Sequence, residues 1–323
     1  MKKKITLFLF VVLSFVAFAK DATFAGDNYD IQLSYNDTSC PGDAVFVRLK
    51  FVQDSKKSEK NRLDSSSAVL ELYLGEKRLD KADFYFLPKD SNKNVRTMLA
   101  GIPLSSWWQK DNNFRLKVTY RIASEQAMSF ELPFSLTDKT FVSETIPLDQ
   151  QNTNIKTDTS TKRMQQIEKL NALLATVDST AVYQTEAFAP PTAATRRTSY
   201  FADRRVYTYT NGKSSTGMHN GIDYGVPEGS TVSSCAAGKV VMAEFRISTG
   251  WSVVVEHLPG LYSLYYHMSE LKVKEGDIVQ QGDLLGLSGS TGLATGPHLH
   301  WEMRLGSVPV SPDFFTSNFT FAN

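Results

Sequence analysis

At 323 residues and a formal charge of +1, the chain is too long for one usual domain and lacks the basic excess that nucleic-acid binding wants. Its two cysteines, Cys40 and Cys235, form no C-x-x-C pair, which argues against a cysteine-ligated metal or a redox motif. They are expected either as a disulfide between two domains or as two free thiols.

The N-terminus reads as a processing segment. Lys2, Lys3 and Lys4 precede an apolar run over residues 5–19 that closes on Ala17-Phe18-Ala19, a small-x-small cleavage pattern. The run falls short of the roughly 20 residues a spanning helix needs. Residues 1–25 are therefore expected as a signal peptide and N-terminal segment, with no stable transmembrane anchor. The expected location is the periplasm or cell envelope, or the medium after secretion. Cleavage removes the three lysines and leaves the mature chain nearly neutral, so no nucleic-acid partner is expected.

Residues 26–145 alternate. Val45, Val47, Leu49 and Phe51 face one way while Arg48 and Lys50 face the other; Phe114, Leu116, Val118 and Tyr120, then Phe130, Leu132, Phe134 and Leu136, repeat the pattern. Such period-2 runs, divided by the turn-rich stretches 54–61 and 89–94, predict an immunoglobulin-like β-sandwich. No catalytic constellation stands in this half. A spacer or docking module is expected, with a protein partner as the ligand it would dock. Trp107 and Trp108 are either a sugar-stacking pair or ordinary packing.

Residues 146–198 read as a linker. Met164, Ile167, Leu170, Leu173 and Leu174 form an apolar stripe that predicts one amphipathic helix over 161–177, packed on one of the two domains. Pro190-Pro191 stiffens an extended connector over 187–195.

Residues 199–323 read almost wholly as strands, at 240–245, 251–256, 262–267 and 298–304. The repeated Gly-Asp turns at Gly276-Asp277 and Gly282-Asp283 indicate fold and say nothing of chemistry; no lysine stands at either tip, as a carrier domain would require. All five histidines lie between positions 219 and 300. His298 and His300 are two apart on a predicted strand, so both rings share a face about 7 Å apart at their backbones. His219 and Asp223, four apart, would be separated by about 13 Å if extended. Gly221, Gly225 and Pro227 argue against a helix, so Asn220-Gly221 must bend the chain if both residues ligate one ion. A catalytic zinc takes three nitrogen and oxygen ligands and leaves a position for water. His219, Asp223 and one of His298 and His300 supply that set, with the remaining ring free for proton transfer. No His-Glu-x-x-His helix is present to supply a glutamate base.

The ordered motifs His219-x-Gly221-x-Asp223, Tyr265-x-His267 and Gly289-Ser290-Thr291-Gly292-x-x-Thr295-Gly296-Pro297-His298-Leu299-His300-Trp301-Glu302 resemble the lysostaphin and LytM type of zinc endopeptidase. The likeness runs from about residue 201 to 315 and includes Arg204-Arg205. It implies an antiparallel peptidase domain of barrel-sandwich hybrid form over residues 199–323, and hydrolysis of peptide cross-links of peptidoglycan during cell-wall remodelling. Carried over by position, the zinc ligands are His219, Asp223 and His300, the catalytic histidines that do not ligate are His267 and His298, and Tyr265 helps hold the oxyanion. The resemblance implies a structural role for His257. Glu302 is expected beside the metal ligands and not among them. Trp251, Tyr262, Tyr266 and Trp301 either line a peptide groove or pack. Two other functions are compatible with the sequence: a non-catalytic wall-binding activator of another hydrolase, and a secreted protease acting on glycine-rich proteins.

Overall fold

The computed structural model describes residues 20–25, 29–53, 62–88, 92, 94–111, 113–317 and 321. The export segment expected through residue 19 and the turn stretch 54–61 lie outside the described residues, as does most of 89–94. The protein is mainly β, and its chain divides into two compact units: Met1–Leu104 with Trp108–Asp138, and Ser105–Trp107 with Lys139–Asn323. Among the described residues no helix is long and apolar enough to cross a membrane.

In the first unit, strands β1 (Lys20–Ala25), β2 (Tyr29–Tyr35), β3 (Ala44–Gln53) and β6 (Val95–Pro103) form an antiparallel sheet in the order β1-β2-β3-β6, with Tyr85–Phe86 at its far edge. Strands β4 (Ser67–Leu74), β5 (Lys77–Asp83), β7 (Phe114–Arg121) and β8 (Met128–Pro133) form a second in the order β8-β7-β4-β5. Alternation drives both sheets. Val45, Val47, Leu49 and Phe51 are buried while Arg48 and Lys50 lean out, and the same core takes Leu70 from β4 and Leu116 and Val118 from β7. Each such side chain withdrawn from water contributes about 1.5–3 kcal/mol. Trp108 packs there against Phe114, ring centroids 5.5 Å apart.

In the second unit, β9 (Ser143–Pro147), β11 (Arg204–Thr208) and β12 (Ser214–Met218) make a small sheet in the order β9-β11-β12. The large sheet runs β10 (Arg197–Ser199), β13 (Gly221–Tyr224), β17 (Leu299–Leu305), β16 (Leu261–Met268), β15 (Gly250–Leu258) and β14 (Gly238–Arg246), then Ile278–Val279. Its labelled neighbours all pair antiparallel.

The segment read as a linker is largely structured. Helix α1 (Gln150–Thr157) is capped by Asp149, whose carboxylate accepts from the Asn152 backbone N–H at 2.7 Å. Helix α2 (Thr161–Leu174), capped by Ser160, lays Leu170 and Leu174 of its apolar stripe on Met242, Val254, Tyr262, Leu264 and Tyr266. The proline-rich stretch is likewise pinned, because Phe188 inserts among the rings of His257, Phe315 and Phe321. An apolar ring within a polar connector overrides its extended bias, since burying it outweighs solvating the backbone.

Candidate metal centre

His219 lies where the chain leaves one sheet for the other. Strand β12 ends at Met218 beside β11, and β13 begins at Gly221 beside β17. His219 and Asn220 alone carry the chain from one sheet to the other. Gly221 is pressed so close to β17 that a Cβ on it would sit 2.2 Å from the Trp301 carbonyl oxygen. Asp223 then pairs directly opposite His300 across the antiparallel ladder. Cross-strand partners share a face, so the carboxylate and the imidazole meet without any long loop.

The result is a tight triangle of three ligand-type atoms. His219 Nε2 is 3.1 Å from Asp223 Oδ1 and 3.0 Å from His300 Nδ1, and that Nδ1 is 2.7 Å from the same Oδ1. His219 Nδ1 donates to the Tyr200 carbonyl at 2.8 Å, which leaves its Nε2 as a lone pair facing inward. His300 Nε2 donates outward to Glu302 Oε1 at 2.9 Å, and Glu302 is in turn held by Arg304. With no cation the triangle holds together through a proton. Burial disfavours the charged His300 ring, but Asp223 and Glu302 prevail and raise its pKa to about 9. Burial likewise opposes ionisation of Asp223, and the hydrogen bond from the His300 ring overcomes it and holds the carboxyl well below its ordinary range. A divalent cation can replace that one proton and take all three atoms, because both imidazoles are already oriented by acceptors behind them. Two nitrogens and a carboxylate oxygen are a fitting donor set for a catalytic metal. Glu302 thus stands behind the ligand, as the sequence indicated.

His298 and His267 complete one face. His298 lies just ahead of β17, with Nδ1 donating to the Gly296 carbonyl at 2.8 Å and Nε2 3.8 Å from Asp223 Oδ1. The shared face expected for His298 and His300 is therefore present. His267 donates from Nδ1 to the Thr291 carbonyl at 2.7 Å, and its ring centroid is 4.7 Å from that of His298. Burial, then the neighbouring His298 and His300, push its pKa down to about 3. It arrives by breaking the strand's alternation. The pairing of β15 with β16 shifts between Trp251 and Val253, opposite Tyr266 and His267, and His267 has φ 62°. A left-handed non-glycine residue at a bulge costs roughly 1–3 kcal/mol and re-aims a side chain.

That bulge corrects the expectation for Tyr265. Tyr265 pairs with Trp301 and Tyr266 with His300, so it is Tyr266 that lies on the metal face. The Tyr266 ring is parallel to that of His300, 5.5 Å away. The Tyr265 hydroxyl is fully buried on the other face, where it accepts from the Cys235 backbone N–H and from Ser263 Oγ, both at 2.9 Å. It is not brought to the oxyanion position. His257 is on that side too, bonded to the Ala237 carbonyl at 2.8 Å and Ser263 Oγ at 2.7 Å, as a structural histidine would be. Both Cys235, buried beside it, and Cys40 are free. Trp301 and Tyr262 are core, and Trp251 packs edge-on against Phe245.

His267, His298 and His300 open onto a cleft of about 400 Å³. One wall is the loop 293–298; another is Glu144, Ile146 and Leu148, from and just after β9, of which the sequence reading left Glu144 in the sandwich domain and the other two in a linker. The only signal for them was a three-step alternation too short to stand out. Arg205, which the sequence could not place, donates to Asp223 Oδ2 at 3.3 Å and to Glu144 at 2.8 Å. Arg204 points elsewhere, stacked on Trp107 at 3.7 Å.

Comparison with known proteins agrees with this geometry. Residues 217–312 match the family described as Peptidase family M23. The chain is 40% identical over 95 residues to the DD-carboxypeptidase/endopeptidase Mpg of Neisseria meningitidis serogroup B, covering 29% of this chain and 22% of Mpg. It is 38% identical over 116 residues to the peptidoglycan DD-endopeptidase ShyA of Vibrio cholerae serotype O1, covering 36% of this chain and 26% of ShyA. The chain thus spans about a quarter of the length of these curated relatives. A crystal structure of a putative peptidase M23 from Pseudomonas aeruginosa superimposes over 87% of this chain and 96% of its own with a TM-score of 0.53; at 20% identity it speaks to fold alone. Residues 217–312 are thus matched by peptidase family M23, and their motifs resemble its lysostaphin and LytM type.

Proposed function

We propose that this protein is an exported zinc-dependent endopeptidase that hydrolyses peptide cross-links of peptidoglycan. The observation that carries the reading is the convergence of His219 Nε2, Asp223 Oδ1 and His300 Nδ1, which all lie within 4.8 Å of one another. The similarity to ShyA, a peptidoglycan DD-endopeptidase, supports the substrate class, and the similarity to Mpg, a DD-carboxypeptidase/endopeptidase, supports the endopeptidase activity. Zinc bound there supplies Lewis acidity toward the scissile carbonyl and makes the attacking water acidic at neutral pH.

The chain's own residues do the rest. His219, Asp223 and His300 are the ligands. His267 and His298 each have Nδ1 committed to a backbone carbonyl, so each presents Nε2 to the cleft as base or acid. One of them takes the water's proton, and the pair delivers a proton to the leaving amine. The ring that has taken the proton stabilises the tetrahedral oxyanion until it passes that proton on. The buried Tyr265 hydroxyl has no part in it.

The test is mass spectrometry of purified dimeric muropeptides after incubation with the full chain, with and without a chelator. Cleavage to monomers that the chelator abolishes and added zinc restores is expected. Intact dimers in the presence of zinc would refute the activity.

A further inference from the structure

The centre does not end at residues 217–312. Strand β9, some 70 residues upstream of His219, lies parallel to β11 with Glu144 opposite Arg205, and its inward face carries Glu144 and Ile146 into the cleft. Glu144 Oε1 accepts from Arg205 Nε at 2.8 Å, while Arg205 Nη2 donates to Asp223 Oδ2 at 3.3 Å. Asp223 Oδ1 is the oxygen that faces His219 and His300. One guanidinium fork therefore bridges a carboxylate on β9 and a ligand carboxylate on β13. The Arg205 and Asp223 side chains are only 11% and 10% exposed, so water cannot readily replace the contact between them, while Glu144, at 34%, reaches Arg205 from the cleft side.

The charges explain why Glu144 is needed. Asp223 has one negative charge to offer, and a cation at the triangle and the Arg205 guanidinium both draw on it. A guanidinium left alone at Oδ2 would withdraw charge from Oδ1 and repel the incoming cation across a short, poorly solvated gap. A second carboxylate on the far side of the guanidinium neutralises it. Arg205 then orients Asp223 without competing for its charge.

We propose that β9 is a positioning strand of the metal centre: Glu144 acts through Arg205 on Asp223, so divalent-cation binding and the docking of β9 on β11 favour each other. The inference rests on the metal-centre reading above. It makes the region ahead of the matched peptidase segment a part of the site, and by linkage it makes metal occupancy a control on the order of that region.

The experiment measures zinc affinity of the full chain by competition with a chromophoric chelator, for the parent, Glu144→Gln, Glu144→Asp, Arg205→Gln and the double variant Glu144→Gln/Arg205→Gln. Unfolding midpoints in chelator check that each variant folds. Glu144→Gln is expected to weaken zinc binding about tenfold or more, the size found for groups that orient metal ligands. Glu144→Asp restores most of the loss, and Glu144→Gln adds nothing once Arg205 is gone. Hydrogen exchange of the β9 amides is expected to slow when zinc is added to the parent and to stay unchanged in Arg205→Gln. Affinity of Glu144→Gln within twofold of a zinc-binding parent, or an equal loss in the Arg205→Gln background, overturns the inference and leaves the metal centre standing. A parent chain that takes up no zinc overturns the metal-centre reading and this inference with it.

Discussion

His300 is tied to Glu302, two residues along the same strand, by a hydrogen bond of 2.9 Å from Nε2 to Oε1. This fixes which imidazole nitrogen faces the cation, and Arg304 fixes the carboxylate in turn. Burial opposes a charged Glu302, yet Arg304 and His300 hold its pKa down to about 2, so the acceptor stays ionised at any working pH. Glu302→Ala should lower zinc affinity by about 10–100-fold. Isothermal titration with zinc measures it, and an unchanged affinity would show that the ring needs no orienting partner.

His298 and His300 sit two residues apart on one face but are expected to fail differently. Because His300 Nδ1 is a corner of the ligand triangle, His300→Ala should lose both zinc and turnover. His298 Nε2 stands 3.8 Å from Asp223 Oδ1 and outside the triangle, so His298→Ala should retain zinc near one equivalent while turnover falls about 10²–10⁴-fold. Metal analysis beside muropeptide cleavage separates the two. Normal cleavage by His298→Ala would remove it from proton transfer.

Tyr265→Phe separates an oxyanion role from a structural one. Deleting the hydroxyl leaves the Cys235 N–H without its buried acceptor, at a cost of about 1–3 kcal/mol. Chemical denaturation should register that loss while turnover of the folded enzyme stays within about twofold. A large fall in turnover at unchanged stability would restore the tyrosine to the site.

His257 gives a pH dependence with a definite sign. Burial lowers its pKa from 6.5 to about 4, so as pH falls between those values the unfolded chain takes up the proton before the folded one does. Stability from this group is fully present above pH 6.5 and is lost as pH falls toward 4, by about 3 kcal/mol in all. A near-isosteric His257→Gln should flatten that part of the curve in the metal-free protein. Identical pH slopes for parent and variant would assign the acid loss to other groups.

Local pattern carried much of this molecule into view. Alternation at Val45, Val47, Leu49 and Phe51 announced a half-buried strand, because a pleated backbone sends successive side chains to opposite faces. The stripe of α2 announced a helix for the same kind of reason. The short run Glu144-Thr145-Ile146 could not announce β9, since its partner β11 is some 60 residues away and only pairing with it makes a strand of so few residues. Tyr265 was set beside His267 by the resemblance alone, and an unbroken strand would have kept the two on one face. They part because a one-residue bulge intervenes, and nothing in the residue types around it marks that bulge.

By itself, then, the sequence determined the kind of chemistry: His219, Asp223, His298 and His300 are the right donors at spacings that a bend and a strand can gather. Only the tertiary structure decided which groups stand behind them, placing Arg205 and Glu144 at Asp223, Glu302 at His300, Tyr266 against the ring and Tyr265 on the far side of the sheet. The reason is that donor type is a property of single residues, whereas the partner of each donor depends on strand register and on pairings between segments far apart in the chain.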